Sequence, residues 1–238
     1  MLSRRQTSLN VKKTIIIAID GPAGAGKSTV AKRLAKLLNI SYLDTGAMYR
    51  ALTWKAMKLK INLEDADALA RLAKNTEIDL IDEPGGLKVL VDGQDVSHEI
   101  RTVEVTNHTF YIARIPNVRD VMVQWQKAMG RKKSLVAEGR DLGTVVFPQA
   151  TYKFYMDADV AERTRRRFKE FNEKGKNIQE RTVMAELRDR DSKDLTRKVG
   201  PLRKAEDAVL IDTTHLTIDE TVTEILRHIE KDGPITHS

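Results

Sequence analysis

The sequence predicts an α/β fold in three layers, a central parallel sheet with helices on both faces, carrying a small insertion and a helical lid. Three observations lead there. Short apolar runs alternate with stretches of helical periodicity, the pattern of a parallel sheet wrapped by crossover helices. A glycine-rich turn joins the first apolar run to the first helical stretch. Two segments, one strand-like and one rich in arginine, interrupt the alternation.

Residues 1–13 show no periodicity and are expected to be a disordered tail. Residues 14–20 read as a buried strand, rich in isoleucine and ending at a glycine. A helix is predicted over 27–39, with Val30, Leu34, Leu37 and Leu38 on one face and Asn39 as its stop. A second strand over 40–43 leads into a helix over 46–60 carrying Met48, Leu52 and Met57. The character changes over 62–108. Residues 87–91, the Asp92-Gly93 turn signal and the segment to Val96 predict a small hairpin, in an insertion projecting from the core. Helical spacing returns over 115–131, where Val118, Met122, Trp125 and Met129 form a packing stripe. Residues 135–137, 152–156 and 209–211 read as further central strands. Between the last two, a helix over 160–173 is broken at Gly175, and a second helix carries Arg181, Arg188 and Arg190. The expected division is a core of 14–61, 109–161 and 198–238, an insertion of 62–108 and a lid of 162–197.

With 41% hydrophobic and 32% charged residues among 238, the chain has the composition of a soluble globular protein. Its longest apolar run, residues 15–19, is far short of the roughly 20 residues of a membrane span, so no membrane partner is expected. The absence of cysteine excludes disulfides and thiolate chemistry. With no apolar leader at the N-terminus, a cytoplasmic location is expected. The net charge of +7 is concentrated: residues 162–198 hold thirteen Lys/Arg against eight Asp/Glu. A mobile segment that grips phosphates has this composition, and so does a solvated helix face.

The glycine-rich turn is Gly21-Pro22-Ala23-Gly24-Ala25-Gly26-Lys27-Ser28, with Thr29 following, and it satisfies G-x-x-x-x-G-K-[ST] between a strand and a helix. This is the P-loop of NTPase-type folds. Glycines let the backbone approach a ligand and converge its N–H groups on phosphates at a helix N-terminus. Lys27 would reach the β- and γ-phosphates of ATP, and the Ser28 hydroxyl would bind Mg²⁺. The rival dinucleotide fingerprint lacks its third glycine, because the chain reads Gly-Ala-Gly-Lys-Ser-Thr from Gly24. The motif identifies a donor site and leaves GTPase switch, ATPase motor and small-molecule kinase open.

The acceptor side favours a kinase. Asp44-Thr45-Gly46-Ala47-Met48-Tyr49-Arg50 follows the second strand, where open α/β sheets collect ligands. Arg50 is suited to bidentate phosphate binding. Glu138-Gly139-Arg140-Asp141 stands at another strand end, and Asp141 can accept from an exocyclic amine as carboxylates do from cytosine N4. Arg163, Arg166 and Arg167 share one side of the first lid helix, with Asp194 and Arg197 beyond the second. Arginines on a closing element stabilise phosphoryl transfer and exclude water. A nucleic-acid binder driven by charge alone would leave the P-loop unexplained and lacks interleaved exposed aromatics. The five histidines show no ligand pattern.

From about residue 14 to 230 these segments resemble the bacterial cytidylate (CMP/dCMP) kinase family. The resemblance rests on Ile19-Asp20-Gly21-Pro22 through Thr29, on LDTGAMYR at 43–50, and on Asp95-Val96-Ser97 with Ile100-Arg101. It extends through Pro116-Asn-Val-Arg119, GRDLGTVVFP at 139–148, Glu162-Arg163-Thr-Arg-Arg166-Arg167 and the 190–197 segment. It implies a P-loop core, a nucleoside-monophosphate-binding insertion and a mobile lid in a monomeric enzyme. That enzyme transfers phosphate from ATP, with Mg²⁺, to CMP or dCMP, with no nucleic-acid partner. It further implies that Thr45, Arg50, Arg119 and Arg140 hold the acceptor ribose or phosphate, with Tyr49 packing nearby. Asp141, Asp194 and Arg197 would contact base and sugar. Arg163, Arg166 and Arg190, with Lys27 and Arg140, would meet the transferring phosphate. One position departs from the family pattern: Phe110 stands, beside Thr109, where a small hydroxyl residue is expected near the cytosine. A kinase for UMP or a shikimate-like polyol is the nearest alternative.

Overall fold

A computed structural model describes residues 14–83, 86–173, 175 and 178–231. The expected tail, 1–13, lies outside the described residues. Five parallel strands form the central sheet in the order β2-β6-β1-β7-β8. These are β1 (Ile16–Asp20), β2 (Ser41–Asp44), β6 (Leu135–Gly139), β7 (Tyr152–Asp157) and β8 (Val209–Asp212). In β1 and β6 consecutive side chains are buried, including Ile17, Ala18, Ile19, Val136 and Ala137. Burial of odd and even positions alike requires a layer on each face of the sheet, which is why these strands read as continuous apolar runs.

The layers are helical. Helix α1 (Lys27–Leu37) starts at Gly26, whose φ of 88° suits glycine. In α2 (Thr45–Lys58) the Asp44 carboxylate caps the first turn by accepting from the Ala47 N–H at 2.8 Å. Helix α5 (Pro116–Lys132) begins on a proline, which supplies the required φ and lacks only an N–H the first turn cannot use. Its predicted stripe is present, with Val118 and Met122 fully buried and Trp125 and Met129 packed against the core. Helix α8 (Ile218–Lys231) packs on α1.

Residues 62–108 contain more structure than the hairpin alone. They hold α3 (Ala66–Lys74) and an antiparallel sheet of β3 (Ile78–Glu83), β4 (Gly86–Val91) and β5 (Gln94–Asp95). The predicted Asp92-Gly93 turn joins β4 to β5, with φ of 49° and 79°. Helix α4 (Val103–Ala113) crosses the 108/109 division. Leu87, Val89, Val91, Val96 and Ile100 are continuous with the main core, so this sheet is packed onto α2 and does not stand clear of it.

The arginine-rich segment forms an antiparallel pair, α6 (Val160–Glu173) and α7 (Glu180–Thr196), with Gly175 in the turn at φ 69°. Phe171, Val183 and Leu187 make a separate small apolar cluster, and its fourth buried member is Ala23 of the glycine-rich turn. The α6–α7 pair is therefore packed onto the glycine-rich turn.

Helix α8 was not anticipated, although its start is legible. Thr217 and Glu220 exchange side-chain and backbone hydrogen bonds at 2.8 and 3.2 Å, a capping box. Thr217→Ala is expected to cost about 1 kcal/mol and to lower the melting temperature by about 2–4 °C, with turnover unchanged.

Candidate active site

The site lies at the carboxyl ends of β1, β2 and β6, where an open α/β sheet presents its loops. The P-loop leaves β1 at Gly21, whose φ is 147°. A Cβ there would stand 2.0 Å from the Met156 carbonyl oxygen of β7, so only glycine lets the chain pass. Pro22 offers its carbonyl to Lys27 Nζ at 2.6 Å. Ala23 O accepts from Arg163 at 3.1 Å, and Arg163 also lies against Gly24. Ala25 O accepts from the Thr213 hydroxyl at 3.3 Å. Ser28 and Thr29 are exposed at the start of α1.

Lys27 is buried, and its amine is pushed down to about 7, first by burial and next by Arg140. Arg190 is pushed down to about 10 by burial and then by Arg140, with Arg50 and Arg167 acting in the same direction. The structure thus brings Lys27, Arg50, Arg140 and Arg190 into one field of positive potential. The nearby carboxylates are partly spoken for. Asp44 pairs with Arg50 at 2.9 Å and Asp194 with Arg140 at 2.7 Å. An anion brought against these cations relieves their mutual repulsion, which is the requirement for binding phosphates.

Beside that field lies a second group. Arg119, 2% exposed, is paired with Asp141, and Arg197 approaches the other Asp141 oxygen at 3.4 Å. The guanidinium of Arg119 also lies 5.7 Å from the Tyr49 ring centroid. Arg119 Nε is buried without a hydrogen-bond partner. Thr45 donates its hydroxyl to Glu138 O at 2.7 Å, leaving its oxygen free to accept only.

Two predicted arginines have other surroundings. Arg163 reaches the P-loop and is held by Asp191 at 2.6 Å. Arg166 does not join the Lys27 group. It is turned toward Thr213, whose hydroxyl accepts at 3.0 Å, with Glu162 at 2.7 Å on its other side. The i, i+3 spacing put Arg163 and Arg166 on one face, but the end of β8 captures the second. Phe110 is half-buried on α4, with Lys193 of α7 5.5 Å from its ring centroid.

Several supporting residues escaped the sequence reading. Tyr42 donates to the Glu138 carboxylate at 2.8 Å, fixing a carboxylate that faces Lys27. Asp191 of α7 pairs with Arg163 of α6. Asp20, at the end of β1, accepts from the Leu142 and Gly143 N–H groups. Its signal was an acid closing an otherwise apolar strand; the other two carried none, since their partners are remote in sequence.

Known proteins resemble the chain along most of its length. The cytidylate kinase family model matches residues 17–231. The chain is 52% identical to the cytidylate kinase of Desulforamulus reducens over 90% of this chain and 96% of that protein. It is 46% identical to that of Bacillus subtilis over 93% and 99%. A crystal structure of an uncharacterized protein from Eubacterium ventriosum, 16% identical, superimposes with a TM-score of 0.50 over 92% of this chain and 99% of that one, a likeness of fold. With this family model and these relatives along nearly its whole length, the chain belongs to the cytidylate kinase family.

Proposed function

We propose that the chain is a cytidylate kinase that moves the γ-phosphate of ATP to CMP or dCMP, giving ADP and CDP or dCDP. The observation that carries this reading is the meeting of Lys27, Arg50, Arg140 and Arg190 between the P-loop and the Arg119–Asp141–Arg197 group. An acceptor whose phosphate lies against Arg50 and Arg140 can place its base on Asp141. Each Asp141 oxygen keeps a lone pair beyond its arginine contact. A cytosine edge offers an amino donor beside two acceptors, matching a carboxylate flanked by guanidinium donors. Uracil reverses two of those groups and is disfavoured.

An oxygen of the acceptor phosphate, anionic at neutral pH, attacks the γ-phosphorus of ATP. The bond from that phosphorus to the β–γ bridging oxygen breaks, and ADP leaves with the bond pair. No general base is required, so the protein's work is alignment and charge stabilisation. Lys27 follows the β,γ bridge, Arg140 and Arg190 neutralise the equatorial oxygens, and Arg163 seals the P-loop against water. Arg166 serves the donor end, beside Thr213. Among the described residues no cluster of three or more His, Cys, Asp or Glu is placed to hold a metal. Ser28, an exposed hydroxyl at the head of α1, fits a Mg²⁺ that arrives on the nucleotide and keeps most of its ligands as phosphate and water. Bound there, Mg²⁺ would supply charge to the β- and γ-oxygens.

In this reading 62–108 shapes the monophosphate side and 162–197 is the lid. Nucleotide substrates support the expected cytoplasmic location. Part of the lid's charge is used internally: Glu162 pairs with Arg165 and Arg166, Glu170 with Arg167, and Asp189 with Lys193. That argues against a nucleic-acid grip.

A coupled assay with Mg-ATP across CMP, dCMP, UMP and AMP tests the proposal. CMP and dCMP should be turned over with kcat/KM at least about tenfold above UMP, the discrimination expected of mismatched hydrogen-bonding groups. If none of the four were phosphorylated, the reading would be wrong.

A further inference from the structure

A carboxylate closes the central strand β1, whose other residues, Ile16 to Ile19, are all apolar. Asp20 is 4% exposed, and taking its charge out of water is costly unless it is answered by hydrogen bonds. The answer comes from far along the chain. One oxygen accepts from the Leu142 N–H at 2.9 Å and the other from the Gly143 N–H at 2.8 Å. Burial still lifts the carboxyl to about 6, against the pull of those two N–H groups and of Lys27. Such an arrangement is expensive to keep if its only purpose is to close a strand, because an apolar residue of similar size would avoid the desolvation.

Its position suggests the purpose. The two N–H groups open the single π-helical turn Leu142–Val146, which directly follows Arg140 and Asp141. On the other side of that pair, Gly139 is held by the sheet, opposite Asp20 itself in the β1–β6 register. Arg140 and Asp141 are therefore a two-residue bridge pinned at both ends, by the sheet and by the Asp20 carboxylate. From this bridge Arg140 reaches Asp194, and Asp141 meets Arg119 and Arg197. Asp20 is also the residue before Gly21, so the same residue begins the donor loop and clamps the acceptor bridge.

We infer that Asp20 is a positioning residue for phosphoryl transfer: its carboxylate fixes the peptides after Asp141 and so aims Arg140 and Asp141 at the acceptor. The inference rests on the cytidylate kinase reading above and adds to it a residue that touches neither substrate. Asp20→Asn keeps the shape, but its amide oxygen can accept from only one of the two N–H groups while its NH₂ opposes the other.

The experiment compares wild type, Asp20→Asn and Asp20→Glu in steady-state kinetics with CMP, and in calorimetric binding of a non-hydrolysable ATP analogue with Mg²⁺. In Asp20→Asn, kcat/KM for CMP should fall about a hundredfold, the scale of a misplaced reacting group, with KM for CMP raised. Affinity for the ATP analogue should stay within about threefold, because the P-loop amides and Lys27 are untouched. Asp20→Glu restores charge and both acceptor oxygens one methylene too far along, and should show the same split should the asparagine variant not fold. Wild-type constants for CMP in either variant overturn the inference. So does an equal loss of CMP and ATP-analogue binding, which would make Asp20 a residue of the P-loop's own shape. Absence of CMP turnover in the wild type overturns the function reading on which the inference rests.

Discussion

Lys27→Met should leave a folded protein whose kcat is lower by about a thousandfold, the upper range for loss of one preorganised charged donor in a transition state. The side chain is buried among Pro22, Arg140, Glu138 and Arg190, so a methionine of similar length fills the space. Removing the amine also removes a cation that burial, and next Arg140, push down to about 7. Stability should accordingly hold or rise while turnover collapses. Circular dichroism melts beside the coupled assay give both quantities. Retained turnover would remove Lys27, and with it the P-loop, from the phosphate path.

Asp141→Ala is expected to damage both the fold and the acceptor site. Its carboxylate is the counter-charge of Arg119, the largest fully buried side chain among the described residues. Leaving a buried charge unpaired costs about 3–5 kcal/mol, a fall in melting temperature on the order of 10 °C for a chain of this size. Arg197 loses the same partner. Asp141→Asn keeps one acceptor oxygen for a guanidinium but no counter-charge, and should recover only part of the stability. Because its amide presents a donor toward the base, it should not recover CMP over UMP discrimination. Thermal unfolding and the CMP/UMP ratio of kcat/KM separate the two effects. A melting temperature of Asp141→Ala equal to wild type would show that Arg119 has another counter-charge.

Much of this protein was legible before its folding was considered. The P-loop could be read because its chemistry is local: eight consecutive residues supply the turn, the amides, the lysine and the hydroxyl. The central strands could be read because both faces are covered, which removes any need for polar alternation in β1 and β6. Helices α3, α4 and α8 were missed for a physical reason. Each is half-exposed, and its capping residue, Asp65, Thr102 or Thr217, is also a turn former that fits the loop reading equally well. Arg166 shows the complementary failure. Helical spacing located its face correctly, yet Thr213, 47 residues away, decided where the guanidinium points.

By itself the sequence determined the central strands, the donor loop and the set of arginines available for phosphate. Those follow from backbone preference and hydrophobic period, which act over a few residues. Only the tertiary structure decided which charge answers which: Asp141 to Arg119, Asp194 to Arg140, Asp191 to Arg163, and Asp20 to the peptides beyond Asp141. Each of these pairs joins residues separated by more than a helix length, and its strength comes from burial. Neither proximity nor loss of water exists until the chain has closed around them.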